Sequence, residues 1–208
     1  MKSFKVPEKQ ASASFTEKHS RFIGNIFKVE QAEQAQEILK SMQKRFWDAS
    51  HNVYAYVLQN GVMRFSDDGE PGGTAGMPTL EVLRREEVTN VLCVTTRYFG
   101  GTLLGAGGLT RAYAKAAKMA LDEAGIAVMM PFSIARVNCH YRWLDVLRKQ
   151  YEHFEASEES ADFGSEISIM LALPEERFQD FCDKIFDFTS GEIKPILEKQ
   201  DMRAKKLV

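Results

Sequence analysis

The sequence predicts an α+β protein built from two domains, residues 1–131 and 132–208. Three observations carry this prediction. Helix-type and strand-type hydrophobic spacing alternate along the whole chain. Glycine-rich loops stop near residue 131, and the charge balance changes sign at the same place. Residues 1–131 hold 16 Lys and Arg against 14 Asp and Glu, whereas residues 132–208 hold 11 against 15.

The first domain is predicted to begin with one long strand or a hairpin, because apolar residues alternate loosely over residues 11–29. An amphipathic helix follows over residues 31–46. The β-branched and aromatic run of residues 53–58 indicates a strand, which ends before an Asn-Gly turn. The remaining expected elements are strands over 90–96 and 126–130, a short helix over 79–85, and a long helix that ends at 124–125.

The second domain is predicted to contain strands over 134–140, 156–163, 166–173 and 193–197. Helices are expected over 143–154 and from Pro174 to a stop at Gly191. A proline in the first turn, followed by two acidic residues, is typical of a helix N-terminus. The order β-α-β-β-α-β is that of the ferredoxin-like fold.

Composition excludes several classes of protein. The 208 residues are 44% hydrophobic, which excludes a disordered chain. No run approaches the ~18 apolar residues of a membrane span, and the first ten residues lack the apolar core of a signal peptide. We therefore expect a soluble cytoplasmic protein with no membrane contact. Cys93, Cys139 and Cys182 lie more than 40 residues apart, which predicts buried free thiols.

Residues 66–78 (SDDGEPGGTAGMP), here named the acidic loop, place Asp67, Asp68 and Glu70 within four positions. Clustered carboxylates repel each other unless a cation, an arginine or backbone N–H groups offset their charge. Oxygen ligands suit Mg²⁺, although the calcium-loop pattern is not matched. Three interpretations stay open: a cation site, a ligand-binding loop, or a tight turn paired with Arg64 or Arg97. No cofactor is expected, with Mg²⁺ as the one candidate.

Residues 100–108, here named the glycine loop, connect a predicted buried strand to the long helix. This is a position at which exposed N–H groups bind anions. The segment matches neither the dinucleotide-binding nor the Walker A pattern. Either it binds phosphate or its glycines allow close packing against the sheet. The glycines in question are Gly100, Gly101, Gly105, Gly107 and Gly108.

The long helix carries a second pattern beside its alanine-rich core face. Arg111, Lys115 and Lys118, here named the basic stripe, follow i, i+4, i+7 spacing. Arg97 and Tyr98 are expected to join the stripe from the end of the preceding strand. Cations, an aromatic ring and a glycine backbone together predict a surface that binds nucleic-acid phosphates or another polyanion.

The acidic loop and the TTRYFGGTLLGAGGLTRAY segment, in this order and spacing, resemble the IMPACT family in its bacterial two-domain form. The resemblance includes residues 18–23 and the Ala-Ser-His of residues 49–51. Where relatives often have a His-His pair, this chain has His51 followed by Asn52. That difference weakens any catalytic role for a histidine pair.

The resemblance implies an N-terminal fold shared with a ribosomal protein, elongation factor G and GHMP kinases. It also implies a C-terminal domain similar to the ferredoxin-like domains of elongation factor G. Eukaryotic members of the family act in translational control by competing for the activator of a stress-responsive kinase. Bacteria lack that pathway, so the expectation that carries over is work near translation or RNA, without an established reaction.

Three functional hypotheses result. The first is a non-enzymatic protein that binds RNA or the ribosome through the glycine loop and the basic stripe. The second is an enzyme acting on a phosphorylated or nucleotide substrate, with a divalent cation at the acidic loop. The third is a protein-interaction module whose acidic C-terminal domain attracts a basic partner. The acids of that third surface are Asp145, Glu152, Glu155, Glu158, Glu159 and Asp162.

Overall fold

The computed structural model describes residues 2–206 and confirms the α+β class. Over this range the chain forms ten strands, five α-helices and one 3₁₀ turn. It divides into two compact units, of which the N-terminal one holds residues 4–128 with 205–206 and the C-terminal one holds residues 129–204 with 2–3. Each unit is described by itself below.

The N-terminal unit contains six strands, three helices and the start of a seventh strand. The strands are β1 (Phe4–Pro7), β2 (Ala11–Glu17), β3 (Ser20–Lys28), β4 (His51–Val57), β5 (Met63–Ser66), β6 (Val91–Tyr98) and β7 (Ile126–Cys139). The helices are α1 (Ala32–Arg45), α2 (Gly76–Arg85) and α3 (Ala106–Ala124).

An antiparallel sheet in the order β2-β3-β6-β4-β5 forms the centre of this unit. Helices α2 and α3 pack on one face, where Leu83 and Leu121 meet Ile26 and Cys93. Helix α1 packs on the other face, where Leu39 meets Leu92. The central strand β6 is therefore covered on both faces, as its unbroken apolar sequence predicted.

The ambiguous segment over residues 11–29 is a hairpin of β2 and β3. Lys18 and His19 make its turn with positive φ angles of 44° and 67°. Helix α3 lies directly on β3 at Gly24. A Cβ atom at this glycine would lie 2.4 Å from the carbonyl oxygen of Ala116, so only glycine allows the helix to approach this closely.

The C-terminal unit continues β7 and follows the predicted β-α-β-β-α-β order. After the 3₁₀ turn (Tyr141–Trp143) its elements are α4 (Leu144–Tyr151), β8 (Ser157–Phe163), β9 (Ile167–Pro174), α5 (Glu175–Phe188) and β10 (Ile196–Lys206). β9 pairs with β7 and β8, while β10 pairs with β7. Phe181, Ile185 and Leu171 are central to its core.

Several predicted boundaries are wrong. β7 runs unbroken through Pro131, which was expected to close a short strand. The β7–β9 ladder begins at Phe132, so the missing proline N–H costs it no hydrogen bond. α2 starts three residues earlier than predicted, and β10 extends nine residues beyond position 197. Many side chains of β10 are charged, as is common in edge strands. Its sequence therefore lacks the apolar alternation that predicts a strand.

The cysteines are free thiols, as predicted. Cys93 and Cys139 are buried, whereas Cys182 is half-buried. Burial raises the pKa of the Cys93 thiol to about 12, which keeps it protonated and unreactive in the folded protein. In the described part of the chain, no helix combines the length and apolarity that a membrane crossing requires.

Candidate functional site

Asp67 organises the acidic loop through backbone hydrogen bonds. Its Oδ1 accepts N–H donors from Gly76 and Ala75 at 2.7 and 3.0 Å, and its Oδ2 accepts that of Gly73 at 2.8 Å. Partial burial of Asp67 raises its pKa, but the three N–H donors outweigh burial and lower the pKa below its ordinary value. The loop therefore closes around an ionised carboxylate.

Asp68 holds the N-terminal end of β4. Its Oδ2 accepts the backbone N–H of Asn52 at 2.6 Å, and its carbonyl oxygen lies 2.7 Å from Nδ1 of His51. Because a carbonyl oxygen only accepts, Nδ1 of His51 carries the proton in this bond. Nε2 of the same ring lies 3.8 Å from Oε1 of Glu70.

Glu70 is the acid that joins the two glycine-rich motifs. Its side chain is 3% exposed. Its Oε1 accepts hydrogen bonds from Nη1 of Arg97 at 2.6 Å and from Oη of Tyr113 at 2.7 Å. Burial and the bond to Glu70 both raise the pKa of Tyr113, which keeps its hydroxyl protonated as the donor. We name Glu70, Arg97 and Tyr113 the Glu70 cluster.

Arg97 does not lie on the predicted polyanion surface. It is 4% exposed, and its Nη2 donates to Oγ of Ser20 at 3.3 Å. Its guanidinium lies over the rings of Phe22 and Phe99, 5.5 and 5.4 Å from their centroids. Glu70 offsets this charge in a buried site, and Arg97 also lines a pocket together with Leu104 and Ala106 of the glycine loop.

Tyr98 points to the opposite face of the sheet from Arg97, because neighbouring residues on a strand alternate. Its hydroxyl donates to Oδ1 of Asp48 at 2.9 Å. The expectation that Arg97 and Tyr98 share one face with the basic stripe is therefore wrong. Strand alternation, visible in the sequence, already separated this pair.

The glycine loop has close approaches that only glycine permits. A Cβ atom at Gly100 would lie 2.0 Å from the carbonyl carbon of His19, so the loop packs directly on the β2–β3 turn. Gly105 precedes α3 with a φ of 73°, in the left-handed region. Gly100 and Gly105 are therefore required by the backbone geometry of the loop.

The acidic loop and the glycine loop line one pocket of about 500 Å³. The acidic loop contributes Glu70 and Pro71, and the glycine loop contributes Leu104 and Ala106. The first turn of α3 contains no acidic residue, and no side chain caps it. The N–H groups of this turn, which includes Gly107 and Gly108, have no partner within the helix and favour an anion.

The basic stripe divides into two parts. Lys118 is paired, with Nζ 2.5 Å from Asp122 and 3.1 Å from Glu86. Arg111 and Lys115 are exposed, and among the ion pairs of residues 2–206 neither takes part. Lys115 lies over the ring of Phe15, 4.4 Å from its centroid. Only the N-terminal part of the stripe is thus free to bind phosphate.

A second pocket, of about 250 Å³, lies beside these two cations. Lys18, from the β2–β3 turn, lines it together with Arg111 and Lys115, and Glu17 is its one acidic residue. Gly108 and Ala112 of α3 form part of its wall. The predicted polyanion surface does not include Lys18, which belongs to the segment of residues 18–23. Its place beside α3 depends on the hairpin, which sequence spacing left ambiguous.

The acidic loop does not gather its carboxylates around a common point. Asp67 binds backbone N–H groups, Asp68 binds the N–H of Asn52, and Glu70 binds Arg97. Across residues 2–206 no group of three or more metal-ligating side chains is found. Of the three interpretations of this loop, the geometry agrees with the turn paired with Arg97.

The acidic C-terminal surface is partly neutralised within its own unit. Arg148 binds Glu158 at 2.9 Å, and Arg203 binds Glu159.

Tyr113 and Ser20 are the site residues that sequence reasoning missed. Tyr113 lies on the alanine-rich core face of α3, and its signal in the sequence is a lone hydroxyl on a face otherwise made of Leu and Ala.

Family comparisons give two matches along the chain. Residues 18–121 match the Impact N-terminal domain, and residues 137–192 match a domain of unknown function, DUF1949. The first match spans both the acidic loop and the glycine loop. The second lies in the C-terminal unit.

Curated relatives extend the similarity over most of the chain. IMPACT family member YvyE of Bacillus subtilis is 33% identical over 175 residues, which are 83% of this chain and 81% of that protein. IMPACT family member YigZ of Escherichia coli is 30% identical over 198 residues, 93% and 97% of the two chains. A solved structure of a hypothetical protein is 29% identical, with a TM-score of 0.61 over 96% of this chain and 98% of that one.

Proposed function

Because this chain belongs to the IMPACT family, we propose that it acts near translation by binding RNA, including RNA of the ribosome. The phosphates would bind at Lys18, Arg111, Lys115 and the first turn of α3, here named the α3 phosphate surface. One observation carries the proposal. Three exposed cations with no ion pair in the described chain line one pocket together with Gly108, from the uncapped first turn of α3.

Two kinds of donor converge on this surface. The guanidinium of Arg111 and the ammonium groups of Lys18 and Lys115 supply charge, while the helix N-terminus supplies oriented N–H groups. Phosphate contacts of this kind position an RNA without reading its sequence. The surface therefore predicts binding that depends on salt more than on sequence.

The enzyme alternative gains no support from the acidic loop. Mg²⁺ is usually held by one or two carboxylates, and each of the three in this loop already accepts a hydrogen bond within the protein. Releasing Glu70 would leave Arg97 buried and unpaired, which costs about 3–5 kcal/mol. The loop is better explained as the support that positions the pocket wall.

Three single substitutions on one helix test the RNA proposal. R111Q, K115Q and K118Q each remove one positive charge from α3, but only Lys118 is already paired with acids. RNA binding is measured by filter retention from 20 to 300 mM salt. R111Q and K115Q should each reduce the slope of log K against log salt by about 0.7–1, and K118Q should leave it unchanged.

Two outcomes would overturn the proposal. One is the absence of any RNA retention by the full chain at the lowest salt. The other is an equal loss of slope in all three variants, because that result would trace binding to net charge rather than to this surface.

A further inference from the structure

A polar groove of about 490 Å³ lies on the sheet face opposite α2 and α3. The alternation of β2 and β3 creates it: Ala11, Ala13 and Phe15 pack toward α3, so Ser12 and Ser14 face the other way. We name it the β2–β3 groove. The residues that matter here are Ser12, Ser14, Arg21, Asn25, Arg45 and Phe46.

The charged residues that line this groove are two arginines. Arg21 comes from β3, and Arg45 is the last residue of α1. Both are exposed, and neither makes an ion pair in the part of the chain that the structure describes. No Asp or Glu is among the residues that line the groove. Two unneutralised guanidiniums in a polar concavity fit the phosphates of a nucleic-acid backbone.

Asn25 adds an oriented acceptor to the groove. The residue is 6% exposed, and its Nδ2 donates to the carbonyl oxygens of Ile23 and Val94, each at 3.3 Å. Because both partners only accept, they fix which end of the amide carries the NH₂ group. Oδ1 is then left as an acceptor, and the hydroxyls of Ser12 and Ser14 stand exposed beside it. Ribose hydroxyls and base N–H groups suit these polar atoms.

Trp47 is an exposed aromatic residue just past the end of α1. It follows Phe46, a residue that lines the groove, and it is 81% exposed. The last turn of α1 adds Lys44 beside Arg45, whose guanidinium lies 5.2 Å from the ring centroid of Phe46. An exposed tryptophan beside unpaired cations is the combination on which unpaired bases stack.

We infer that the β2–β3 groove and Trp47 bind single-stranded RNA, with Arg21 and Arg45 on phosphates and Trp47 stacked on a base. The inference rests on the proposed function in naming RNA as ligand, but it uses a different face of the sheet. It adds a specificity that the α3 phosphate surface lacks. A duplex keeps its bases stacked inside and offers none to Trp47, so unpaired segments are preferred.

Tryptophan fluorescence tests this inference directly. The chain has two tryptophans, so W143F leaves Trp47 as the reporter and W47F leaves Trp143. Each full-length variant is titrated with a ten-nucleotide oligouridylate and with a duplex RNA of equal phosphate content. We expect quenching in W143F with the single strand only, and no quenching in W47F.

Affinity measurements supply the second readout. W47A should weaken single-strand binding about 5- to 150-fold and leave duplex binding unchanged, whereas F163A, which removes a half-exposed aromatic ring of β8, should change neither. R21Q combined with R45Q should lower the salt dependence of single-strand binding.

The outcomes separate this inference from the proposed function. If RNA binds but Trp47 is not quenched and W47A is unchanged, the groove inference is overturned while the α3 proposal survives. If Trp47 is quenched in an R111Q/K115Q background with unaltered affinity, the groove inference stands and the α3 proposal fails. Quenching by polyglutamate but not by RNA would assign the groove to a protein partner and overturn the inference.

Discussion

Asp67, Asp68 and Glu70 are near neighbours in sequence, yet each carboxylate binds a different group. The sequence predicted that an arginine could offset their charge and named Arg64 and Arg97 as candidates. Choosing between the two needs the strand register, which places Arg97 opposite His51 on β4 and leaves Arg64 exposed on β5. The residue types thus indicated that an arginine offsets the charge of the acidic loop. Which arginine does so depends on contacts between residues that are distant in sequence.

At the residue scale, Asp67→Asn should destabilise the protein in a pH-dependent way. The lowered pKa of Asp67 means that its ionised form stabilises the fold above its ordinary value of 3.8, and that this stabilisation is lost as pH falls through the lower folded-state value. We expect a loss of about 1–3 kcal/mol at pH 7, measured by urea unfolding. The difference from the wild type should shrink below about pH 4.

Asp162→Asn is the matched control, because this carboxylate lies exposed on β8. Its stability difference from the wild type should stay within about 0.5 kcal/mol from pH 7 to pH 3. A stability loss in D67N that is the same at pH 3 and pH 7 would contradict an ionised role for Asp67.

At the scale of elements, hydrophobic periodicity identified most helices and strands but not all of their limits. Apolar spacing does not identify a strand such as β10, whose side chains are mostly charged. It does not identify the short edge strands β1 and β5 either. It also treated Pro131 as a terminator, although proline is compatible with an extended backbone where no ladder bond is needed. The limits of these strands depend on the strands with which they pair, and hydrophobic spacing carries no information about pairing.

The packing of α3 on β3 gives the element-scale prediction. Gly24→Ala would place a Cβ atom 2.4 Å from a backbone oxygen of α3, so the helix must shift. We expect G24A to lose about 1–3 kcal/mol of unfolding free energy in urea. Gly72→Ala is the control, since a Cβ atom there meets nothing within 4 Å. Equal stabilities of G24A and G72A would show that the helix is not in this contact.

At the scale of the whole molecule, the sequence correctly predicted the α+β class. The charge count also showed that basic residues are in excess before residue 131 and acidic residues after it. Sequence spacing also located the basic stripe, although it could not show that Lys118 is paired and Arg97 buried. The two units have separate cores: Leu171 and Phe181 belong to one cluster, and Leu83 and Leu121 to another. Separate cores allow separate cooperative unfolding.

Thiol labelling can observe this separation. Cys93 lies buried in β6 of the N-terminal unit, and Cys139 lies buried at the end of β7 in the C-terminal unit. In a C182S background, we expect the two thiols to lose protection from an aromatic disulfide reagent at different urea concentrations. Peptide mapping after timed labelling assigns each site. A single common midpoint for both thiols would show that the chain unfolds as one unit.

The Glu70 cluster has a consequence for how this protein can change over evolutionary time. One carboxylate oxygen serves both Arg97 and Tyr113, so losing the acid strands a buried cation and a buried hydroxyl together. A lineage that replaces Glu70 must therefore also replace Arg97, through intermediates that are less stable than either end state. Positions 70, 97 and 113 should therefore be inherited as a set.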